Sequence, residues 1–400
     1  MRIVFLMPMS IERPSGRRYF HLARELVHAG HTVRLLTLHP DFANCSVRRF
    51  VADGVEIWYV GQMHARKHGS MPGRFSPFAL LWVLMRSTLG MIWGVICSPA
   101  EVYHLGKPQP VNGLAALIGV MLLRRQRFFV DCDDDEVASN RLTTAWQRAI
   151  FGFWQWLLPR IAAGVTVNTQ FLAERMRRRD ITPVVYVPNG VNLTQFRRPP
   201  AERVEQLHLA LGLTGKRVVA YVGTLALHNH PVDLLIDAFA RVAERVPDAV
   251  LLLIGGGEDL SLLRQRVCTT GLQDRVYFTG HIDYEYVCNY LALADVSVDP
   301  VRDDTAARAR SPLKLFESMA LGVPVVTGDV GDRAALLDYG RAGVVVPAGD
   351  AIVLAEKIMH VLIDAFRKKS LVQACQYHID SYDWQKLTAR WLHIYAYRQE

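Results

Sequence analysis

Short apolar runs recur along the chain and alternate with longer stretches whose apolar positions repeat at helical spacing. Ile3 to Leu6 predicts a buried first strand, and Arg17 to His28 a helix closed by Gly30. Val33 to Leu38 predicts a second strand, with others near Ile57–Tyr59, Glu101–His104, Arg127–Asp131, Val165–Asn168 and Val184–Val187. A second series follows Arg197-Arg198-Pro199-Pro200: Val218–Val222, Ala249–Ile254, Val276–Phe278, Val296–Val298, Val323–Thr327 and Gly343–Val346. Helices such as Val232–Val246 fill the gaps. Alternating strand and helix is the pattern of a doubly wound α/β fold. Two such series predict two Rossmann-like domains, 1–198 and 199–380, with ligands expected at the carboxyl ends of the strands in a central cleft. The aromatic, amphipathic segment in 381–400 is expected to be a helix crossing back to the first domain.

Four hundred residues, half of them apolar, are ample for two domains. The six cysteines form no close pair and no metal-ligand spacing, which fits a reduced, cytoplasmic chain. The opening MRIVFLMP suits a strand better than an export signal. Charge is unevenly divided. Residues 1–200 carry 25 Lys+Arg against 13 Asp+Glu, and residues 201–400 carry 21 against 25. The basic first half points either to an anionic partner, such as a membrane surface at the inner face of the cell membrane, or to an ordinary solvated surface rich in arginine. Phe75 to Ser98 is apolar but interrupted by Arg86, and its longest uncharged piece, Ser87 to Ala100, is short for a spanning helix, which needs ~20 residues. Two readings remain: a buried helix, or a segment lying in a leaflet surface through Trp82 and Trp93. The aromatic run Trp146 to Leu158 adds weight to the second.

The chemistry concentrates in Arg308–Gly331, RARSPLKLFESMALGVPVVTGDVG. Ser311-Pro312 predicts a helix start, with Ser as cap and Pro at the first position. That end is partly positive, yet Arg308, Arg310 and Lys314 surround it, an arrangement that an anion between them would relieve. Glu317 lies at i+3 from Lys314, on the same helix face, and a carboxylate there can accept ribose hydroxyls. The set describes a nucleoside-diphosphate pocket.

Together with NGVN at Asn189–Asn192, YVGTL at Tyr221–Leu225, Gly255-Gly256-Gly257-Glu258 and AGHTV at Ala29–Val33, this run resembles glycosyltransferase family 4 with the GT-B fold. The resemblance implies a retaining, metal-independent transferase with a nucleotide-diphosphate sugar as donor and no cofactor. Its acceptor would be a glycan, a lipid-linked or a cell-envelope molecule, and nucleic acid is not expected as a partner. Glu317 matches the second glutamate of the family's two-glutamate motif, while Ala309 stands at the first. The family's Arg position is Thr224, and its Lys falls in Leu227-His228-Asn229-His230. Arg308, Arg310 and Lys314 are the compensating cations, in a Ser-Pro-x-Lys-x-x-Glu arrangement that some branches share.

Gly16 resembles the glycine loop that approaches the donor phosphate, with Arg13, Arg17 and Arg18 around it. The donor set is completed by Ser311, Leu313, Gly223, Thr224, Gly256 and His281, with His281 flanking the base. The family's histidine after the fourth strand is absent. Asp131, Asp133 or Asp134 stands there as a candidate to orient or deprotonate the acceptor, against a purely structural role in capping. His104, at a strand end, is the other candidate catalytic group, together with Lys314, Arg310 and Asp133. Asp133-x-Asp135 resembles a metal-binding pair, but the cations at Lys314 argue against a metal. Two further readings are a sugar-nucleotide epimerase of the same fold and a catalytically silent donor-binding partner subunit.

Overall fold

The structure is a computed structural model that describes residues 1–64, 66–68, 71–73 and 75–399. It divides into two compact units, Met1–Pro188 with Trp384–Glu400, and Asn189–Asp383. The division falls ahead of Arg197–Pro200. Pro199-Pro200 instead leads into the helix Ala201–Ala210, with Pro200 at its N-cap.

The first unit contains β1 (Arg2–Leu6), β2 (Thr32–His39), β3 (Arg49–Ala52), β4 (Val55–Gln62), the small hairpin β5 (Arg66–His68) and β6 (Met71–Gly73), β7 (Val102–Gly106), β8 (Phe129–Cys132), β9 (Gly164–Val167) and β10 (Val184–Tyr186). Eight strands form one sheet, β10-β9-β8-β7-β1-β2-β4-β3. Its pairs are parallel except β3–β4. β1 sits between β2 and β7, the switch point where the strand order reverses.

The helix Pro14–His28 follows β1 and ends at Ala29, with Gly30 at φ +84°. It packs against the returning helix Trp384–Leu392. That segment therefore belongs to the first unit, with Trp384, Trp391, Ile394 and Tyr395 buried.

The helix Pro77–Ile96 corrects the buried-helix expectation. Ser87, Met91, Gly94 and Val95 are its only buried residues, against β2 and β4. The contact is flush because a side-chain carbon on Gly90 would lie 2.1 Å from the carbonyl oxygen of Val60. The opposite face is exposed: Phe78 at 88 %, Trp82 at 56 % and Trp93 at 61 %. The helix has 20 residues and is long and apolar enough to cross a membrane by length and composition.

The second unit contains β11 (Arg217–Val222), β12 (Ala249–Ile254), β13 (Val276–Gly280), β14 (Val296–Asp299), β15 (Val325–Gly328) and β16 (Val344–Val346), ordered β13-β12-β11-β14-β15-β16 and all parallel. Both sheet faces are covered. Val219 and Tyr221 of β11 point into one apolar layer with Phe239 and Leu253. Val218, Ala220 and Val222 point into the other, with Phe316 and Met319. This two-sided burial is why the strands read as continuous apolar runs. The switch point lies between β11 and β14.

Candidate functional site

The second unit gathers its polar side chains at the carboxyl ends of β11 and β14. The helix after β14 runs Leu313–Ala320, one residue later than the sequence implied, with Pro312 as its N-cap. Ser311 does not cap it. The Ser311 hydroxyl accepts from the Asn189 N–H at 3.1 Å, and Asn189 Nδ2 donates to the Ser311 carbonyl at 2.6 Å. These two bonds fix the approach to the helix.

Lys314, in the first turn, is buried. Its Nζ lies 3.2 Å from Asp299 Oδ1 and 4.1 Å from the centroid of the Tyr221 ring. Asp299, the last residue of β14, also accepts from Arg333 Nε at 2.9 Å and from the Thr327 hydroxyl at 3.2 Å. Burial alone would raise the Asp299 carboxyl, but Lys314 and Arg333 outweigh it and hold the group well below the usual carboxylate range. Two cations share one carboxylate, so the triad keeps a net positive charge under the helix N-terminus. Gly223 follows β11 at φ +142°, and a side-chain carbon there would stand 3.4 Å from Lys314 Nζ. The left-handed φ is what calls for glycine at this position.

Arg310 Nη1 donates to the Asn229 carbonyl at 2.8 Å. His230 is held well below its ordinary value by burial, then by Lys314 and Arg310. A neutral imidazole thus stands in the field of two cations, within the stretch where the family resemblance places a lysine. Arg308 is directed elsewhere. It is exposed at the C-terminal end of the short helix Thr305–Arg308 and bidentate to Asp303 at 2.6 and 2.7 Å. The expected stack of three cations therefore reduces to Arg310 and Lys314, with His230 beside them.

Glu317 is buried on the same helix as Lys314, and its Oε1 accepts from the Tyr284 hydroxyl at 2.9 Å. Leu313, the first residue of the helix, is half-buried. Thr224 is exposed, and its carbonyl accepts from the Tyr221 hydroxyl at 3.0 Å. The glycine run packs one loop on another. A side-chain carbon on Gly255 would lie 2.1 Å from Gly223 O, and one on Gly257 2.2 Å from Leu225 O. Gly256 accepts from the Leu225 N–H at 3.0 Å, so the loops after β11 and β12 are stitched together. His281 is exposed, 3.9 Å from Asp283. Tyr284, Asp299 and His230 escaped the sequence reading. Only His230 carried a signal, its place in Leu227–His230.

In the first unit the fit is mixed. Gly16 is needed where it stands, because a side-chain carbon would meet Ser10 O at 2.0 Å. Arg18 is no solvated helix-end cation. It is buried against Asp131 at 3.0 Å and donates to the carbonyls of Val187 at 2.9 Å and Pro188 at 3.1 Å. Asp131 also accepts from Tyr19 at 2.9 Å and Thr166 at 2.6 Å, which makes it a core residue rather than a base.

His104 is likewise corrected. It is fully buried, 3.0 Å from the Tyr395 hydroxyl and stacked 4.6 Å from the Trp391 ring, and burial holds it well below its ordinary value. Asp133 lies 3.2 Å from the Lys107 ammonium, which also meets Glu136 at 3.3 Å and Asp134 at 3.7 Å. Asp135 pairs instead with Arg175 and accepts from the Val137 and Ala138 N–H groups. Asp133 and Asp135 are thus matched to different cations.

Residues 15–190 match the glycosyl transferase 4-like domain, and residues 216–364 match the glycosyl transferases group 1 domain. The chain belongs to glycosyltransferase family 4. A phosphatidyl-myo-inositol mannosyltransferase of Mycobacterium leprae is 29% identical over 99% of this chain and 96% of its own length. An alpha-D-kanosaminyltransferase of Streptomyces kanamyceticus is 26% identical over 86% and 89%. For a GDP-mannose-dependent alpha-(1-6)-phosphatidylinositol monomannoside mannosyltransferase of Mycobacterium tuberculosis, identity is 29%, over 58% of this chain and only 62% of the relative's length. The fold matches sucrose-phosphate synthase of Thermosynechococcus elongatus at TM-score 0.77 and 20% identity, covering 99% and 98% of the two chains. The fold is GT-B.

Proposed function

We propose that this family 4 chain transfers a glycosyl group from a nucleotide-diphosphate sugar to a hydroxyl of a glycan, lipid-linked or cell-envelope acceptor, with retention and without a metal. The observation that carries the reading is Lys314: a buried ammonium at a helix N-terminus, aligned by Asp299 and lying over the Tyr221 ring beside Gly223. Breaking the glycosidic bond concentrates negative charge on the departing diphosphate. A preorganised cation and aligned N–H groups there act where charge grows, each such group supplying about 3 kcal/mol. Glu317, oriented by Tyr284, holds the ribose. Arg310 and His230 border the diphosphate, and Asp133 orients the acceptor hydroxyl.

The relatives' names make GDP-mannose the first donor to test and a phosphatidylinositol-type lipid the first acceptor. Wild-type protein with these two substrates and a metal chelator should yield an acceptor heavier by one hexose in mass spectrometry. Lys314→Ala should reduce kcat by about 100-fold with little change in acceptor KM. Unchanged turnover in Lys314→Ala would remove the assigned role, and an epimerised donor as the sole product would replace the transferase reading.

A further inference from the structure

Three neighbouring helical segments of the first unit, Pro77–Ile96, Pro110–Leu123 and Ala145–Ile161, present an apolar surface with no counterpart among the described residues. On the first, Phe78, Trp82, Met85, Leu89, Trp93 and Ile96 are all exposed at spacings of three and four, a continuous outward stripe. Ile118, Met121 and Leu122 extend it on the second segment. Trp146, Ile150, Phe153 and Trp156 do so on the third. An apolar patch of this kind marks an interaction surface.

Its charges have one sign. Residues 57–100, 102–130 and 137–173 contain no Asp or Glu, while Arg86, Arg125, Arg148 and Arg160 are exposed on or beside the helices. The Arg160 guanidinium lies 4.6 Å from the Trp156 ring centroid. Tryptophan, aliphatic residues and arginine without acids are the chemistry of a bilayer interface with anionic headgroups.

We infer that this face seats the first unit on an anionic lipid bilayer, with Pro77–Ile96 lying in the plane of the surface. The helix does not span, because its Gly90 face is closed against β4 with no room for lipid. The seat goes beyond the transfer reaction and is independent of the donor site.

The test is flotation of the full chain with phosphatidylcholine vesicles, with and without phosphatidylglycerol. Wild type should float with the anionic vesicles, less so at ~0.5 M salt, where the headgroup attraction is screened. It should be released by alkaline carbonate. Trp82→Ser with Leu89→Ser, both exposed positions, should keep the wild-type melting temperature and bind roughly ten-fold more weakly. Failure of wild type to float overturns the inference. So does an oligomeric wild type that the double variant turns into a monomer, since a second copy then covers the face. Retention after carbonate would make the helix a spanning one and equally overturn it.

Discussion

At the scale of single residues, His230 is the most informative side chain. It is held neutral because burial, Lys314 and Arg310 all disfavour its charged form. An arriving diphosphate reverses that field and raises the imidazole's proton affinity. Binding then favours the protonated ring, so His230 should add to nucleotide affinity a contribution that rises as pH falls. In His230→Gln that rise should vanish, leaving only the slope from phosphate protonation. Calorimetric titrations of GDP from pH 7.5 down to 5.5 measure both; parallel slopes in the two proteins would show that His230 does not face the diphosphate. Asp299 works in the opposite sense. Its depressed carboxyl contributes stability above its unfolded value, and that contribution is lost only as pH falls through the folded value, so it does not disturb the same pH window.

At the scale of elements, glycine positions distinguish a helix face that is seated on the sheet from one that is open. Gly90 faces a backbone oxygen at 2.1 Å, whereas a side-chain carbon on Gly152 would meet only Val137 at 3.7 Å. Gly90→Ala should therefore lift Pro77–Ile96 off the sheet and lower Tm. Gly152→Ala should be neutral or stabilise by up to about 1 kcal/mol through helix propensity. Thermal melts of the pair decide it, and equal Tm values would contradict the flush packing.

The parallel strands were legible in the sequence to within a few residues, because strands buried on both faces leave unbroken apolar runs, whereas the antiparallel β3 and the β5–β6 hairpin were not read. Ser311-Pro312 announced a helix, but Asn189 takes the Ser311 hydroxyl, so capping chemistry alone misplaced its first residue. The division at Pro188 has no composition signal; Val187 and Pro188 are held there by Arg18 through its side chain. His104 looked accessible because it sits near a strand end. The residues that bury it, Trp391 and Tyr395, are remote in sequence, so local pattern cannot show them. Asp299 and Tyr284 were missed for the same reason: each matters through a partner on a different element.

At the scale of the whole molecule, the two units can be followed separately, because all eight tryptophans lie within Met1–Pro188 or Trp384–Glu400. Tryptophan fluorescence therefore reports the first unit. That unit buries two neutral histidines, His104 and His21, the latter lowered to about 3 by burial, then Arg24 and Arg17. A histidine lowered on folding leaves stability intact above its unfolded value and removes it as pH falls below that value. From pH 6.5 to 5 His21 should remove roughly 2 kcal/mol and His104 should act in the same direction, so urea midpoints followed by fluorescence should fall steeply in wild type. His104→Gln should flatten that fall, and an unchanged acid slope would contradict the burial assigned to this ring.

The donor recognition proposed for the second unit is reached directly by one measurement: the thermal shift of wild type and Glu317→Ala with GDP, UDP and ADP. A ligand bound only by the folded protein raises Tm by mass action, with about 2.7 kcal/mol gained at one hundred times Kd. One nucleotide should stabilise wild type by several degrees, with the shift largely lost in Glu317→Ala and the unliganded melting temperatures similar. Equal stabilisation of both proteins would contradict the ribose assignment, and no stabilisation of wild type by any of the three would contradict the nucleotide site itself.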